Sequence, residues 1–317
     1  MKTKNIIFLF LSILFANLAH SQGFARPNAW KKLRKEVTLQ IGGSGFLGDL
    51  GGRNRTGTDF SPADLEIALT RPAVSAGFRY KLNKNINVHS SLNYLLLAGD
   101  DKLTTEKYRN NRNLNFKSNV FELASRLEFG ISSFKRTGVY RLKRSSLGKI
   151  NRRKAFEVIG FVGVGVFYFN PKGKNPTSGK WENLYNLHTE GQGLPDGPSQ
   201  YKRVSVSIPM GIAVHYIIDK DWSIGLELCY RKTFTDYIDD VSTNYYDKTA
   251  LFNAYGATSV LMADPSKGDI PGASSPNGDG SGAQRGDKNK DAFATVQITV
   301  GKFFAPKRGR TKLRSKF

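Results

Sequence analysis

The sequence predicts an all-β protein, an eight-stranded antiparallel transmembrane β-barrel with long extracellular loops and a basic periplasmic face. Apolar and polar residues alternate over long runs, which is the pattern of a strand with one buried face. Eight such runs occur, an even number, and the first 21 residues have the pattern of an export signal. Most runs have about 10 to 14 residues, longer than soluble strands and long enough to cross a bilayer at a tilt.

Composition excludes several other classes of protein. The chain has 317 residues, of which 39% are hydrophobic and 12% aromatic, which is too much for a wholly disordered protein. Outside the first 20 residues no apolar run is long enough for a transmembrane helix. Cys229 is the single cysteine, so the chain can form neither an internal disulfide nor a multi-cysteine metal site. The formal charge of +22 requires an explanation.

Residues 1–21 are predicted to be a signal peptide. Lys2 and Lys4 precede an apolar stretch from Ile6 to Leu18, and small residues follow at the cleavage positions before Gln22. A retained membrane anchor is the alternative, but the apolar run is short for one. We expect export to the outer membrane, with residues 22–35 as a basic periplasmic leader.

The barrel is predicted to occupy residues 36–304, followed by a basic periplasmic tail at 305–317. Strand candidates are Glu36 to Leu47, Val74 to Leu82, Ile86 to Leu96, Asn119 to Ile131, Phe156 to Phe169, Arg203 to Tyr216, Trp222 to Arg231 and Ala292 to Phe304. Pro209 interrupts one of them, and because proline has no N–H to donate, we expect a local bulge there.

Each candidate strand has one apolar and one polar face. In a membrane barrel the apolar face contacts lipid, and the inward polar residues are expected to form a paired charge network: Glu122, Arg126, Glu128, Glu227 and Arg231. A soluble lipocalin-like barrel is the alternative, with its apolar face inside. Aromatic residues near strand ends are expected to form interfacial girdles: Phe46, Tyr80, Tyr94, Phe129, Phe167, Phe169, Tyr216, Trp222, Tyr230 and Phe303.

If both chain ends lie in the periplasm, the long connections face outward and the short turns inward. The exception is the inner connection from Phe134 to Lys154, which carries nine basic residues and no acid. Outer loops are nearly balanced in charge. A one-signed surface attracts an acidic partner, and we expect partner binding by Arg136, Arg141, Lys143, Arg144, Arg152, Arg153 and Lys154. Anionic lipid head groups are the alternative ligand, while nucleic acid is not expected.

The sequence offers little catalytic chemistry. His89, His188 and His215 lack metal-ligand spacing, so neither a metal nor a cofactor is expected. A lipid-modifying barrel enzyme is an alternative, since inward positions also include Ser205, Ser207 and Glu227. We expect no enzymatic activity and no small-molecule substrate. A diffusion pore is not expected either, because side chains fill the interior of an eight-stranded barrel.

The last outer loop contains two weak motifs. A calcium-type loop places Lys288 where a glutamate is required, so it fails. Arg285-Gly286-Asp287 spells an adhesion tripeptide, to which we assign no function because three common residues match easily by chance.

Four segments resemble PorG-type outer-membrane proteins of the type IX secretion and gliding machinery of Bacteroidota. They are GGSGFLGDLGG (Gly42 to Gly52), LHTEGQGLPDGPSQYKRVSVSIPMGI (Leu187 to Ile212), RKTFTDYIDDVSTNYYD (Arg231 to Asp247) and QRGDKNKDAF (Gln284 to Phe293). The resemblance implies a non-enzymatic barrel that anchors the periplasmic secretion ring, a lipoprotein and its ring partner, to the outer membrane and its lipid.

The third of these segments is the most specific. Its Asp236, Asp239 and Asp240 are expected to brace the outer loops through arginine or backbone N–H groups. An OmpX-like structural or adhesion barrel without the secretion role is the alternative reading of the same pattern.

Overall fold

The computed structural model describes residues 34–50, 69–135, 155–218, 221–270, 283–287 and 289–304, with the backbone alone for 132–135 and 155. The expected signal peptide, most of the expected leader and the expected tail lie outside these residues.

Strands account for most of the described chain. They are β1 (Lys35–Leu47), β2 (Arg71–Lys81), β3 (Ile86–Asp100), β4 (Asn115–Lys135), β5 (Ala155–Lys174), β6 (Trp181–Asn183), β7 (Val204–Ile217), β8 (Trp222–Thr233) and β9 (Ala292–Phe304). The described parts of the connections contain three short helices: α1 (Lys107–Arg112), α2 (Lys248–Tyr255) and α3 (Ala257–Ala263). Single 3-10 turns occupy Asp101–Leu103 and Leu184–Asn186.

The eight long strands close into an antiparallel barrel. Each pairs with its neighbour in the chain, except that the three-residue β6 stands between β5 and β7. β5 therefore pairs with β7 along most of its length and with β6 at its far end. Pairing of β1 with β9 completes the ring. The predicted eight-stranded barrel is confirmed, and β6 is a short addition to its wall.

Alternation along β1 shows which face points inward. Val37, Leu39 and Ile41 are exposed on the outside, while Glu36, Thr38 and Gln40 are buried in the lumen. The same alternation holds around the ring, so the outer wall is mostly apolar and the lumen contains the buried charged residues of the strands. A soluble lipocalin-like barrel has the opposite arrangement, and this alternative is wrong.

The two mouths of the barrel differ. Lys35 at the start of β1 pairs with Phe304 at the end of β9, so both barrel ends lie at one mouth, the terminal side. The β2–β3 and β7–β8 turns are on this side, and Asn83 tightens the first by accepting the N–H groups of Asn85 and Ile86. The connections β1–β2, β3–β4, β5–β7 and β8–β9 leave their strands at the opposite mouth, the loop side.

The expected bulge at Pro209 is not found. β7 keeps the same register with β5 on both sides of this residue, from Met210 opposite Val162 to Ser207 opposite Gly165. Because Pro209 has no N–H, the β5–β7 ladder is interrupted there, but no residue is inserted and no bulge forms. The register shift lies instead between Gly130 and Ser132, in the pairing of β4 with β5.

Interfacial aromatic residues form two partial girdles on the wall. Tyr94, Phe121 and Tyr168 lie side by side on the loop side, and Phe156 packs on Tyr216 at 4.7 Å between ring centroids on the terminal side. Four of the residues expected in girdles point inward instead and are buried: Phe46, Phe167, Phe169 and Phe303. Strand parity explains this, because each shares its face with lumen residues.

Candidate functional site

The terminal half of the lumen holds a network of buried ion pairs. Arg79 donates from Nε to Glu128 at 2.6 Å and from Nη1 to Glu36 at 2.7 Å. Arg126 binds both carboxylate oxygens of Glu227, at 2.5 and 2.6 Å, and also reaches Glu128. Bidentate pairs of this kind fix geometry as well as charge.

A second layer lies nearer the loop side. Arg231 donates to Glu122 at 2.7 Å, and the same carboxylate accepts the hydroxyl of Ser207 at 2.6 Å. The predicted network of five charged residues is therefore confirmed. Sequence reasoning missed Glu36 and Arg79 as members of the network, although the alternation along β1 and β2 places both on the inward, polar face.

These side chains fill the cross-section of the barrel. The guanidinium of Arg126 lies 4.0 Å from the ring centroid of Phe161, and both side chains are buried. Gln40 on β1 donates to Thr299 on the adjacent β9 at 2.9 Å and to Glu227 on the next strand, β8, at 2.8 Å. An interior packed in this way holds the strands together and leaves little room for a solute path.

The serine and histidine residues proposed for the enzyme alternative do not meet. His89 Nε2 lies 2.9 Å from the hydroxyl of Thr38, and His215 Nδ1 lies 3.3 Å from Arg79. Ser207 is bonded to Glu122, as described above, so these residues form no Ser–His–acid arrangement. His188 lies apart from both, in a loop, stacked on Tyr255.

Metal chemistry finds no support in the part of the chain that the structure describes. No group of three or more His, Cys, Asp or Glu side chains there has a geometry that could hold a metal ion. None of the described helices is long and apolar enough to cross a membrane.

The loop half of the lumen is apolar. Its buried side chains continue from the strands into the outer loops as one hydrophobic core: Phe46, Leu50, Ala73, Leu95, Leu97, Leu114, Phe116, Val120, Phe167, Phe169, Leu184, Tyr201, Ile238, Val241, Met262 and Phe293. We call the loop residues packed over this core the loop cap; they are 48–50, 101–114, 175–203, 234–270, 283–287 and 289–291. The cap closes the loop side of the barrel.

The three aspartates expected to brace the loops all lie buried in the loop cap. Asp239 accepts the N–H groups of Leu50 and Val241, and Asp236 accepts the hydroxyl of Ser242 at 2.6 Å.

Asp240 joins three segments of the cap. It accepts hydroxyls from Thr189 at 2.5 Å and Tyr201 at 2.7 Å, and it lies 4.0 Å from Arg285. These contacts link separate loops, and whether they stabilise them remains a prediction.

A buried arginine and a partly buried one, which sequence reasoning did not assign to this role, also connect the loops. Arg285 donates to Glu190 at 3.0 Å and to the carbonyl of Asp240 at 2.6 Å. Arg112 binds Asp101 and donates to the carbonyl oxygens of Asp49 and Arg285. Because Arg285 is buried, the adhesion tripeptide that begins with it is not displayed. Its position in a polar, Gly-rich loop gave no signal of this burial.

Several cap carboxyls have raised pKa values because burial disfavours their charged form. Burial, with a contribution from Asp287, raises the pKa of Asp49 to about 8. Burial raises the pKa of Asp236 to about 7 and that of Asp240 to about 6. It raises the pKa of Asp239 and Asp291 well above the usual range.

The basic connection expected to bind a partner follows the ends of two described strands. Arg136, Arg141, Lys143, Arg144, Arg152, Arg153 and Lys154 lie outside the described residues. The two strands that flank the connection are described. The last pair of β4 with β3 is Phe129 with Ile86, and from Gly130 to Lys135 β4 pairs with β5 alone. The connection therefore joins the strand ends on the terminal side.

No protein-family model matches this sequence, and no curated protein sequence matches it. The crystal structure of Ail, the attachment invasion locus protein of Yersinia pestis, is 10% identical, with 86% of this chain and 99% of that chain covered and a TM-score of 0.33. Neisserial surface protein A is 6% identical, with 85% and 97% covered and a TM-score of 0.34. The translocator domain of autotransporter NalP from Neisseria meningitidis is 9% identical, with 95% and 96% covered and a TM-score of 0.28. At these TM-scores the similarity says nothing about the function of this chain.

The strands and side chains of the chain itself define its class. Apolar side chains such as Leu39, Ile41 and Val164 are more than 60% exposed on a closed wall whose interior is charged. Exposure of this kind is stable only against lipid, and the closed ring of eight long strands leaves no edge strand in the wall, as a bilayer requires. In midwall Ser90 and Ser125 bind each other at 2.8 Å, which satisfies both hydroxyls. The protein is a transmembrane β-barrel.

Proposed function

We propose that this barrel is a non-enzymatic anchor in the outer membrane for the periplasmic ring of a type IX secretion and gliding apparatus. The proposal combines the resemblance to PorG-type proteins with one structural observation, the prolonged β4–β5 pair on the terminal side. In barrels of this class the short turns and chain ends face the periplasm, so this pair leads into the basic connection there.

The packed lumen supports an anchoring role. Arg126, Glu227 and Gln40 occupy the interior with their hydrogen bonds directed at each other. A solute path would require breaking these buried pairs, at a cost of several kcal/mol. With the interior used for structure, the surfaces at the two mouths are left for partners.

The charge of the connection supports an acidic protein as partner. Nine basic residues without an acid between Phe134 and Lys154 produce a field of one sign, which speeds association with an acidic surface and is costly when no counter-charge is present. The ring lipoprotein and its ring partner are the proposed ligands.

The test is to neutralise the connection in the full chain. A variant with Arg136, Arg141, Lys143, Arg144, Arg152, Arg153 and Lys154 each changed to Gln should insert normally but lose the ring in a pulldown and reduce secretion of type IX substrates. The matched control changes seven exposed loop-side lysines to Gln: Lys102, Lys107, Lys180, Lys202, Lys232, Lys267 and Lys290. Equal ring recovery and secretion from both variants would reject the proposal.

A structural or adhesion barrel of the OmpX kind is the second candidate. The observation favouring it is the packed loop cap, which displays exposed Tyr108 and Phe252. Under this function, deleting the protein would leave secretion intact, and changing Tyr108 and Phe252 to Ser would reduce attachment of cells to a surface.

A further inference from the structure

A patch of cations lies on the outer wall at the loop side. Lys117 on β4 is directly opposite Lys172 on β5, and Lys174 follows on the same outward face of β5. Strand parity puts them in line with Phe121 and Tyr168, which face the lipid. The patch therefore continues the lipid-facing wall beyond its aromatic girdle.

The arrangement is unfavourable without a counter-ion. Like charges directly opposite each other on neighbouring strands destabilise a sheet. In the described part of the chain, neither Lys117 nor Lys172 forms an ion pair, although many other charged side chains are paired. An anion that binds both lysines would remove the repulsion.

Aromatic side chains hold the cations in place. The ammonium of Lys117 lies 3.9 Å from the ring centroid of Trp181, which β6 places beside β5 opposite Lys174. Arg203 lies over Tyr185 at 4.5 Å and over Tyr168 at 5.5 Å. Cation–π contacts of this kind orient a charge without neutralising it.

The height of the patch on the wall indicates its ligand. Lys117 and Lys172 are each four residues beyond the girdle residue on the same strand, about 13 Å along the strand at 3.3 Å per residue. With the usual strand tilt this is about 10 Å along the membrane normal, which takes the lysines out of the hydrocarbon and to the outer edge of the head-group layer, about 5 to 8 Å thick on each side. Phosphate groups of membrane lipids are the anions found at that depth.

We propose that Lys117, Lys172, Lys174 and Arg203, with Trp181, form a binding site for the phosphorylated head group of a lipid in the outer leaflet. The site is independent of the proposed ring anchoring, because it lies at the opposite mouth of the barrel. An acidic protein is the less favoured ligand, since the cations lie on the wall that lipid already surrounds.

The experiment compares lipid retention by the folded full-length barrel. Native mass spectrometry would measure binding of phosphorylated lipid A and of the same lipid after enzymatic dephosphorylation. We expect wild type to prefer the phosphorylated lipid, and Lys117→Gln/Lys172→Gln/Lys174→Gln to bind it at least tenfold more weakly, since each basic residue near an anionic surface contributes to attraction. The matched control is Lys102→Gln/Lys107→Gln/Lys232→Gln, which removes the same charge elsewhere on the loop side and should bind as wild type does.

Three results would overturn the proposal. They are equal retention by the two triple variants, equal retention of the dephosphorylated lipid, and displacement of lipid A by millimolar inorganic phosphate, which would make a soluble anion the ligand. Heat-modifiable gel migration shows that each variant is folded before binding is compared.

Discussion

The two ends of this barrel bury charged residues in different ways. In the strand-lined lumen, each buried glutamate receives a guanidinium, as Glu36 does from Arg79 and Glu122 from Arg231. In the loop cap, Asp239 and Asp291 accept backbone N–H groups and form no ion pair with described residues. Strands fixed by their ladder can hold an arginine in line with each carboxylate. The cap also pairs Glu190 with Arg285, but its Asp239 and Asp291 depend on backbone donors.

This difference predicts different consequences for stability. The lumen pairs depend on both partners, because removing one leaves a buried charge uncompensated. The cap carboxyls can instead take up a proton, as their raised pKa values indicate. The lumen should therefore respond to mutation and the cap to pH.

The largest effect is expected from Arg126→Met in the lumen. This variant leaves Glu227 without its bidentate partner and should lower the free energy of unfolding by about 3 to 5 kcal/mol. Urea unfolding of the barrel in lipid vesicles measures it. Adding Glu227→Gln to the same chain should recover part of the loss, and a single variant as stable as wild type would show that the pair is not structural.

A smaller and local effect is expected from Arg285→Met in the cap. Loss of the hydrogen bonds to Glu190 and to the carbonyl of Asp240 should destabilise the cap by about 2 to 3 kcal/mol. Hydrogen exchange should rise in residues 234–270 and stay unchanged in β1 and β9. Lys102→Met, on an exposed side chain, is the control. Faster exchange throughout the barrel would show that cap and lumen are not separate units.

The cap should become more stable as the pH falls from 8 to 5. Asp49, Asp236 and Asp240 bind a proton in the folded cap at about pH 8, 7 and 6, but in an unfolded cap only near pH 4. The folded state thus holds more protons across this interval, so its stability is greatest below about pH 4 and is lost as the pH rises through these values.

The expected gain is on the order of 1 to 3 kcal/mol, measured as resistance of the cap to a protease that is active from pH 5 to pH 8. Asp236→Asn should flatten part of the profile, since an amide does not titrate. Resistance that falls on acidification would contradict the assignment.

The smallest expected effect is in chemical labelling of Cys229, which tests whether the lumen and the cap loosen independently. Cys229 is buried in the lumen beside Ile159, Phe161 and Ala213, so a maleimide should not label it in the folded barrel. Labelling should become measurable in Arg126→Met and remain absent in Arg285→Met, because only the first change loosens the lumen. Equal labelling of both variants would mean that the cap controls access to the interior.

Strand alternation was sufficient to predict the barrel, because one period-2 pattern determines both the strand and its lipid-facing side. It also predicted inward Arg126, Glu128 and Glu227, since parity alone decides which face a residue takes. The same parity, had it been applied to Phe167 and Phe169, predicts the buried positions that the structure shows. Proximity to a strand end was the weaker criterion.

The loop cap was beyond the reach of the sequence. Burial of Arg285 depends on Glu190 and Asp240, which come from two other segments of the chain, and no periodicity relates residues so far apart. The regular register at Pro209 was also not predicted. A ladder can lose one hydrogen bond without a register shift when the strand on the other side still pairs, as β8 does with β7 here.

The prolonged β4–β5 pair has a mechanical consequence. A pull on the segment that joins these strands loads them lengthwise against β3 and β7, with which they pair over most of their length. Under shear the hydrogen bonds of such a ladder resist together, whereas peeling from one end would break them in turn. The β4–β5 pair, which leads into the basic connection, is thus suited to carry tension into the membrane.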